Sequence, residues 1–250
     1  MVPKKPLTSF LRTLIFLLLS TFFFVSQSFA TRLIKVKVVR VIDGDTVVLS
    51  NGKHLRYAGI NALELHTKTG IPQPFAVEAT ELNKRLTLNK TLYLKLVPLI
   101  YDRYGRWVGE LYFPNGTSVS ELLLKSGYVL VCYYRDSKPL FRKYLPLQRR
   151  VLRQNRGIFA LARFIDSLEK GRVYIGNKRS KRFHAPSCRE ARFIRHKVIF
   201  HSIIEALYQG YCPARGCFNE IFPEKDVRLF FRRYYFKTTH VRTKNFGNHH

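Results

Sequence analysis

Asn51-Gly52 separates two short runs of β-branched and apolar residues, 46–50 and 53–60, and it restricts the backbone more sharply than any other short stretch of the chain. An Asn-Gly pair tolerates the positive φ angles that a tight hairpin demands, so the flanking runs are expected to pair as antiparallel strands. Upstream, Leu33 to Val41 mixes β-branched and basic residues in strand-like alternation, and the three runs together open a β-meander. With a two-residue loop, position 45 lies across from position 58, which sets Asp45 and Arg56 on one face a diagonal step apart. Asn61 and Glu64 follow where the third strand ends, at the handover from rigid sheet to loop that commonly carries function.

Further along, Gln73 to Leu86 has no Gly or Pro after Pro74 and spaces Phe75, Val77, Ala79 and Leu82 for a helix. Alternation resumes at 91–99 and 107–113, either side of the turn Asp102-Arg103-Tyr104-Gly105-Arg106, which completes five strands. Ser118 with Glu121 forms a capping box for a short helix to Lys125, and Pro146 is expected to open a third helix running to Gln154. The class is therefore α+β: a five-stranded barrel with about three flanking helices.

The chain has 250 residues, 46% hydrophobic and 14% aromatic, enough for one sizeable core and a small second one, which excludes wholesale disorder. Its formal net charge of +28 is spread over both halves, with 22 basic and 9 acidic residues in 31–160 and 19 and 7 in 161–250. A polyanionic partner, nucleic acid, is expected on both.

Residues 1–30 run from Lys4, Lys5 and Arg12 through an apolar stretch to Ser28-Phe29-Ala30, the order of a secretory signal peptide. The expected product is a secreted or periplasmic monomer with no membrane span, an uncleaved N-terminal anchor being the alternative. The remaining boundaries read as a main domain over 31–160, a linker over 161–173, a small Cys/His module over 174–220 and a basic aromatic tail over 221–250, where a packed helix or strand is weighed against a base-stacking surface. Cys132 lies in the apolar run 128–134 and reads as a small buried hydrophobe. His184, Cys188, Cys212 and Cys217 offer an imidazole and three thiolates, which leaves zinc and a disulfide both open.

The chemistry concentrates in Asp43-Gly44-Asp45-Thr46, Arg56, Asn61 to Glu64, and Arg106. Carboxylate and carbonyl oxygens suit a hard divalent ion, a carboxylate can deprotonate or position water, and planar guanidiniums match a phosphoryl transition state. These pieces, with Arg153-Gln-Asn-Arg-Gly157-Ile-Phe159, resemble the staphylococcal nuclease (thermonuclease) family over about half the chain. The resemblance implies an OB-fold barrel and a calcium-dependent phosphodiesterase acting on single-stranded or denatured DNA and on RNA, leaving 3'-phosphate ends. It implies Asp45, Asn61 and the Ala62 carbonyl as calcium ligands, with Asp43 supporting. It further implies Glu64 as the catalytic carboxylate, Arg56 and Arg106 as the phosphate clamp, and Tyr104 and Tyr133 as the nucleotide pocket.

Two positions depart from the family's usual Gly-Ile-Asp-Ala-Pro-Glu: Asn61 replaces a carboxylate and Leu63 a proline. A noncatalytic nucleic-acid-binding barrel is the rival reading. The segment from Tyr174 to Cys217 resembles the zinc-binding module of methyl-phosphotriester DNA repair proteins, although Ala214 stands where that module has the first cysteine of Pro-Cys-x-x-Cys.

Overall fold

Strands β1 (Ile34–Asp43), β2 (Thr46–Leu49), β3 (His54–Tyr57), β5 (Thr91–Tyr101) and β6 (Trp107–Tyr112) close into a barrel in the order β1-β2-β3-β6-β5, while β4 (Ile60–Ala62) leaves the barrel wall. This is a computed structural model, describing the backbone of residues 33–67 and 69–244 and the side chains among these up to 234; the expected leader lies outside the described residues. Within the barrel the β3–β6 pair that shuts it is parallel and the other strand pairs are antiparallel. Val38, Val47, Leu55, Leu92, Leu94 and Leu111 fill the interior with no solvent exposure, each contributing about 1.5–3 kcal/mol by burial.

The hairpin register differs from the one expected. Thr46 pairs with Arg56 and Val48 with His54, so the connection spans three residues, Ser50 to Gly52, with Gly52 at φ 79°. A three-residue loop that ends on a left-handed glycine replaces the two-residue turn. Thr46, not Asp45, therefore shares a pleat face with Arg56, and Asp45 reaches the arginine from the turn before β2, where strand alternation does not apply.

Helix α1 (Ala76–Thr87) packs on β1, and α2 (Val119–Ser126) begins at Ser118, whose hydroxyl accepts from the Glu121 N–H. The third expected helix starts earlier than Pro146: α3 runs Lys138–Arg153, opens at Pro139 and carries Pro146 within it. Its buried stripe of Tyr144, Gln148, Val151 and Leu152 extends past that proline, and tertiary packing outweighs the local break. Residues 161–173 hold most of α4 (Ile158–Leu168).

Beyond α4, strands β8 (Tyr174–Asn177), β9 (Arg182–His184), β10 (Lys197–Phe200) and β11 (Cys212–Pro213) make a sheet in the order β10-β8-β9-β11. Helices α5 (Ile203–Tyr208), α6 (Phe218–Ile221) and α7 (Glu224–Lys244) follow among the described residues. One hydrophobic core joins Leu63, Phe75 and α3–α4 to Tyr174, Phe183, Phe200 and Phe230, and barrel and C-terminal sheet belong to one compact unit starting at Ile34. Phe230, expected in the aromatic tail, packs against Phe75 and Phe164.

Buried Gln148 ties the halves together. Its Oε1 accepts from the N–H of Val131, in strand β7 (Val129–Val131), and its Nε2 donates to the Leu207 carbonyl, both at 2.7 Å. Cys132 is not the lone hydrophobe expected: it is disulfide-bonded to Cys212, and Cys188 to Cys217. Chain separation of 80 residues hides the first pair from any local reading of the sequence.

Candidate active site

The turn between β1 and β2 is held by close packing. A Cβ on Gly44 would stand 2.6 Å from that of Ala79 and 2.7 Å from that of Ala62, so only glycine lets the acidic turn lie between α1 and β4. Asn83 of α1 donates to the Asp43 carbonyl at 2.9 Å, and the Asp43 carboxylate accepts from the Asp45 N–H at 2.9 Å.

Asp45 is buried and central. Its Oδ2 lies 3.0 Å from Arg56 Nη1 and accepts from the Ala62 N–H at 2.5 Å, while its Oδ1 accepts from the Thr46 hydroxyl at 3.1 Å. Burial pushes its pKa up to about 6 against the opposing pull of Arg56, with Asp43 adding to the rise. The carboxylate is short of positive charge even when paired.

Arg56 also donates to the Tyr57 carbonyl and to Asn61 Oδ1, each at 3.0 Å. Arg106 approaches from the other side, where its Nη1 lies 3.4 Å from the Thr46 hydroxyl while its Nε and Nη2 clasp Asp102 at 2.8 and 2.7 Å. Thr46 and Asp45 thus chain the two guanidiniums together. Although burial raises the Asp102 pKa, hydrogen bonds from the Arg106 side chain and from the Arg106 and Tyr104 N–H groups outweigh it and hold it below 3.8.

The sign of that shift sets a pH window. The Asp102 contribution is complete above about 3.8, the unfolded value, and is lost as pH falls through the lower folded value. In a carboxyl-carbon NMR titration, Asp102 is expected to protonate below 3.8, with the Tyr104 and Arg106 amide resonances moving along the same curve.

Glu64 is fixed through its backbone. Its N–H donates to Gln73 Oε1 at 2.8 Å and its carbonyl accepts from the Gln73 N–H at 2.9 Å, while Leu63 is buried in the core. Those contacts anchor the turn without the family's proline. The Glu64 carboxylate, whose side chain is 34% exposed, pairs with Arg215 Nη2 at 2.8 Å.

The residues fit a hard divalent cation in donor chemistry. The Asp43 and Asp45 carboxylates with the Asn61 and Ala62 carbonyls would offer such an ion an all-oxygen set of donors. Asn61 turns that set partly on itself, because its Nδ2 donates to the Ala62 carbonyl at 2.7 Å while its Oδ1 serves Arg56.

A cleft of about 520 Å³ gathers Arg56, Asn61, Glu64, Asp102, Tyr104, Arg106 and Tyr134 with Arg182 and Arg215. Tyr133 does not line it: its ring packs edge-on against Phe141 at 5.4 Å, and the next residue, Tyr134, faces the cleft. The sequence assigns no site role to Thr46, Gln73, Tyr134, Arg182 or Arg215; of these, only Thr46 belongs to a stretch where the chemistry concentrates. At the other end of the module, His184 Nδ1 sits 3.1 Å from Cys217 Sγ and 3.8 Å from Cys188 Sγ. Cys212 is spent on Cys132, which leaves three of the four expected zinc ligands together, two of them joined as a disulfide. Oxidised sulfurs offer no thiolate to a metal.

Such a fold and site suit a phosphodiester hydrolase built on a five-stranded barrel. Residues 54–160 match the family model described as staphylococcal nuclease homologue. An uncharacterized endonuclease of Escherichia coli O157:H7 is 31% identical over 126 residues, 50% of this chain and 76% of the relative. The thermonuclease of Staphylococcus hyicus is 34% identical over 109 residues, covering 40% and 61%, and endonuclease YncB of Bacillus subtilis 36% over 106, covering 41% and 50%. The chain belongs to the staphylococcal nuclease family. The family match ends at residue 160, before the C-terminal sheet.

Proposed function

We propose that this chain is an exported nuclease that hydrolyses phosphodiester bonds of DNA or RNA with the help of a divalent cation, calcium by its donor chemistry. The observation that carries the reading is the shared cleft: Arg56, Glu64 and Arg106 converge on a space of about 520 Å³ bordered by Asn61. Arg56 and Arg106 bind and orient the scissile phosphate and stabilise the charge that spreads over its oxygens. Glu64 takes a proton from the attacking water. Asp43, Asp45, Asn61 and the Ala62 carbonyl would hold the ion, which when bound supplies charge neutralisation beside the phosphate. Tyr104 and Tyr134 offer aromatic faces for the nucleotide. The leader-like 1–30 segment and two disulfides support export to an oxidising compartment.

Incubation with denatured DNA, with calcium and then with chelator, tests the activity. Cleavage that disappears on chelation is expected. Binding without cleavage under any divalent ion would instead favour the noncatalytic barrel, for which the Glu64–Arg215 pair and the missing acid at Asn61 are the supporting observations.

Restoring that acid should strengthen the ion site. Asn61→Asp adds a charge to the donor set and removes the amide that caps the Ala62 carbonyl, so calcium affinity measured by titration calorimetry is expected to rise on the order of tenfold.

A further inference from the structure

The C-terminal sheet supplies part of the cleft wall, and the way it is attached determines which residues it presents. Cys212 is bonded to Cys132, the residue that follows β7 and donates its N–H to the Gly59 carbonyl just before β4. In the parallel β9–β11 pair, Cys212 stands opposite Arg182, and Arg215 follows three residues later. The disulfide therefore fastens Arg182 and Arg215 beside the strand that carries Asn61 and Ala62.

We propose that Arg182 and Arg215 form a second phosphate subsite, which takes a phosphodiester of the bound single strand adjoining the one held by Arg56 and Arg106. This deepens the nuclease reading and rests on it for the position of the scissile bond. Arg182 is half-buried, and among the described residues its guanidinium meets neutral groups: the carbonyls of Tyr133, Ser180 and Lys181 at 3.3–3.5 Å, and Tyr134, whose ring lies 5.1 Å away and whose hydroxyl it hydrogen-bonds. A partly buried cation without a counter-charge is costly, and an incoming phosphate removes that cost. Burial, with the charges of Arg56 and Arg215 nearby, lowers its pKa, in keeping with a guanidinium crowded by its own kind.

Arg215 is the exchangeable member. Its side chain is 63% exposed and its partner is the Glu64 carboxylate, a solvent-screened pair that contributes little to stability and is readily exchanged. Two phosphate oxygens can replace the Glu64 carboxylate on Arg215 in a bidentate grip. That exchange also frees the Glu64 carboxylate to act on water, so occupancy of the second subsite and readiness of the base are coupled through one ion pair.

The test is binding of a fluorescent single-stranded oligonucleotide to the full chain, read by anisotropy over a range of KCl in the Glu64→Gln background. Each phosphate contact contributes about 0.7 to the slope of log K against log salt. Arg215→Ala and Arg182→Gln are each expected to lower the slope by about 0.7, and Arg182→Lys to retain it. A slope unchanged in both Arg215→Ala and Arg182→Gln overturns the subsite; Arg215 is exposed enough that its variant should fold, and circular dichroism checks both. Failure of the underlying reading looks different: the parent chain cleaves nothing with any divalent ion, while the arginine variants still lose slope.

Discussion

Glu64→Gln is expected to slow hydrolysis of denatured DNA by about 10²- to 10⁴-fold, the usual contribution of a positioned general base. The substitution keeps the shape of the side chain and leaves Gln73 its backbone hydrogen bonds to residue 64, so the fold should be unaffected. Losing the exposed pair with Arg215 alters stability by about 0–1 kcal/mol. Binding of single-stranded DNA is expected to be at least as tight as in the parent, because Arg215 no longer has a carboxylate competing with phosphate. Initial rates alongside anisotropy titrations separate the two effects. An unchanged rate would remove Glu64 from the chemistry.

Replacing Cys132 and Cys212 together with alanine is expected to cost roughly 4.5 kcal/mol of stability, the chain-entropy value for a closed loop of this size. The bridge spans 80 positions and joins the β7 edge to the C-terminal sheet. Guanidinium denaturation under non-reducing conditions measures the loss as a lower midpoint. A second consequence follows from the attachment of Arg182 and Arg215: KM for denatured DNA should rise more than kcat falls, since Arg56, Glu64 and Arg106 remain on the barrel. Equal loss in both parameters would mean that the bridge supports the barrel as a whole.

The barrel was legible because its signals are local. Asn51-Gly52, the alternating runs and Ser118 with Glu121 each act within a few residues, and each appears as a turn, a strand or a helix start. The hairpin register was not legible, because whether Ser50 joins the loop depends on the twist of the closed barrel and not on the Asn-Gly pair. Pro146 misled for a related reason: proline is a first-turn signal locally, but the buried stripe from Tyr144 to Leu152 holds α3 together across it.

The residues proposed for the chemistry, from Asp43 to Arg106, stood out in the sequence through residue types at family spacing. What the second half of the chain brings to the cleft was not. Arg182 and Arg215 carry no motif, and a basic residue in a chain of net charge +28 stands out from nothing.

Sequence by itself determined the strands, the acidic turn and the set of groups able to handle a phosphodiester, since backbone preference and residue chemistry are properties of short segments. Tertiary structure alone decided that Cys132 meets Cys212, that Tyr134 and not Tyr133 faces the cleft, and that Arg215 lies against Glu64. Those outcomes depend on how the C-terminal sheet packs against the helices and β7 beside the barrel, and the distances that packing creates are written in no local pattern.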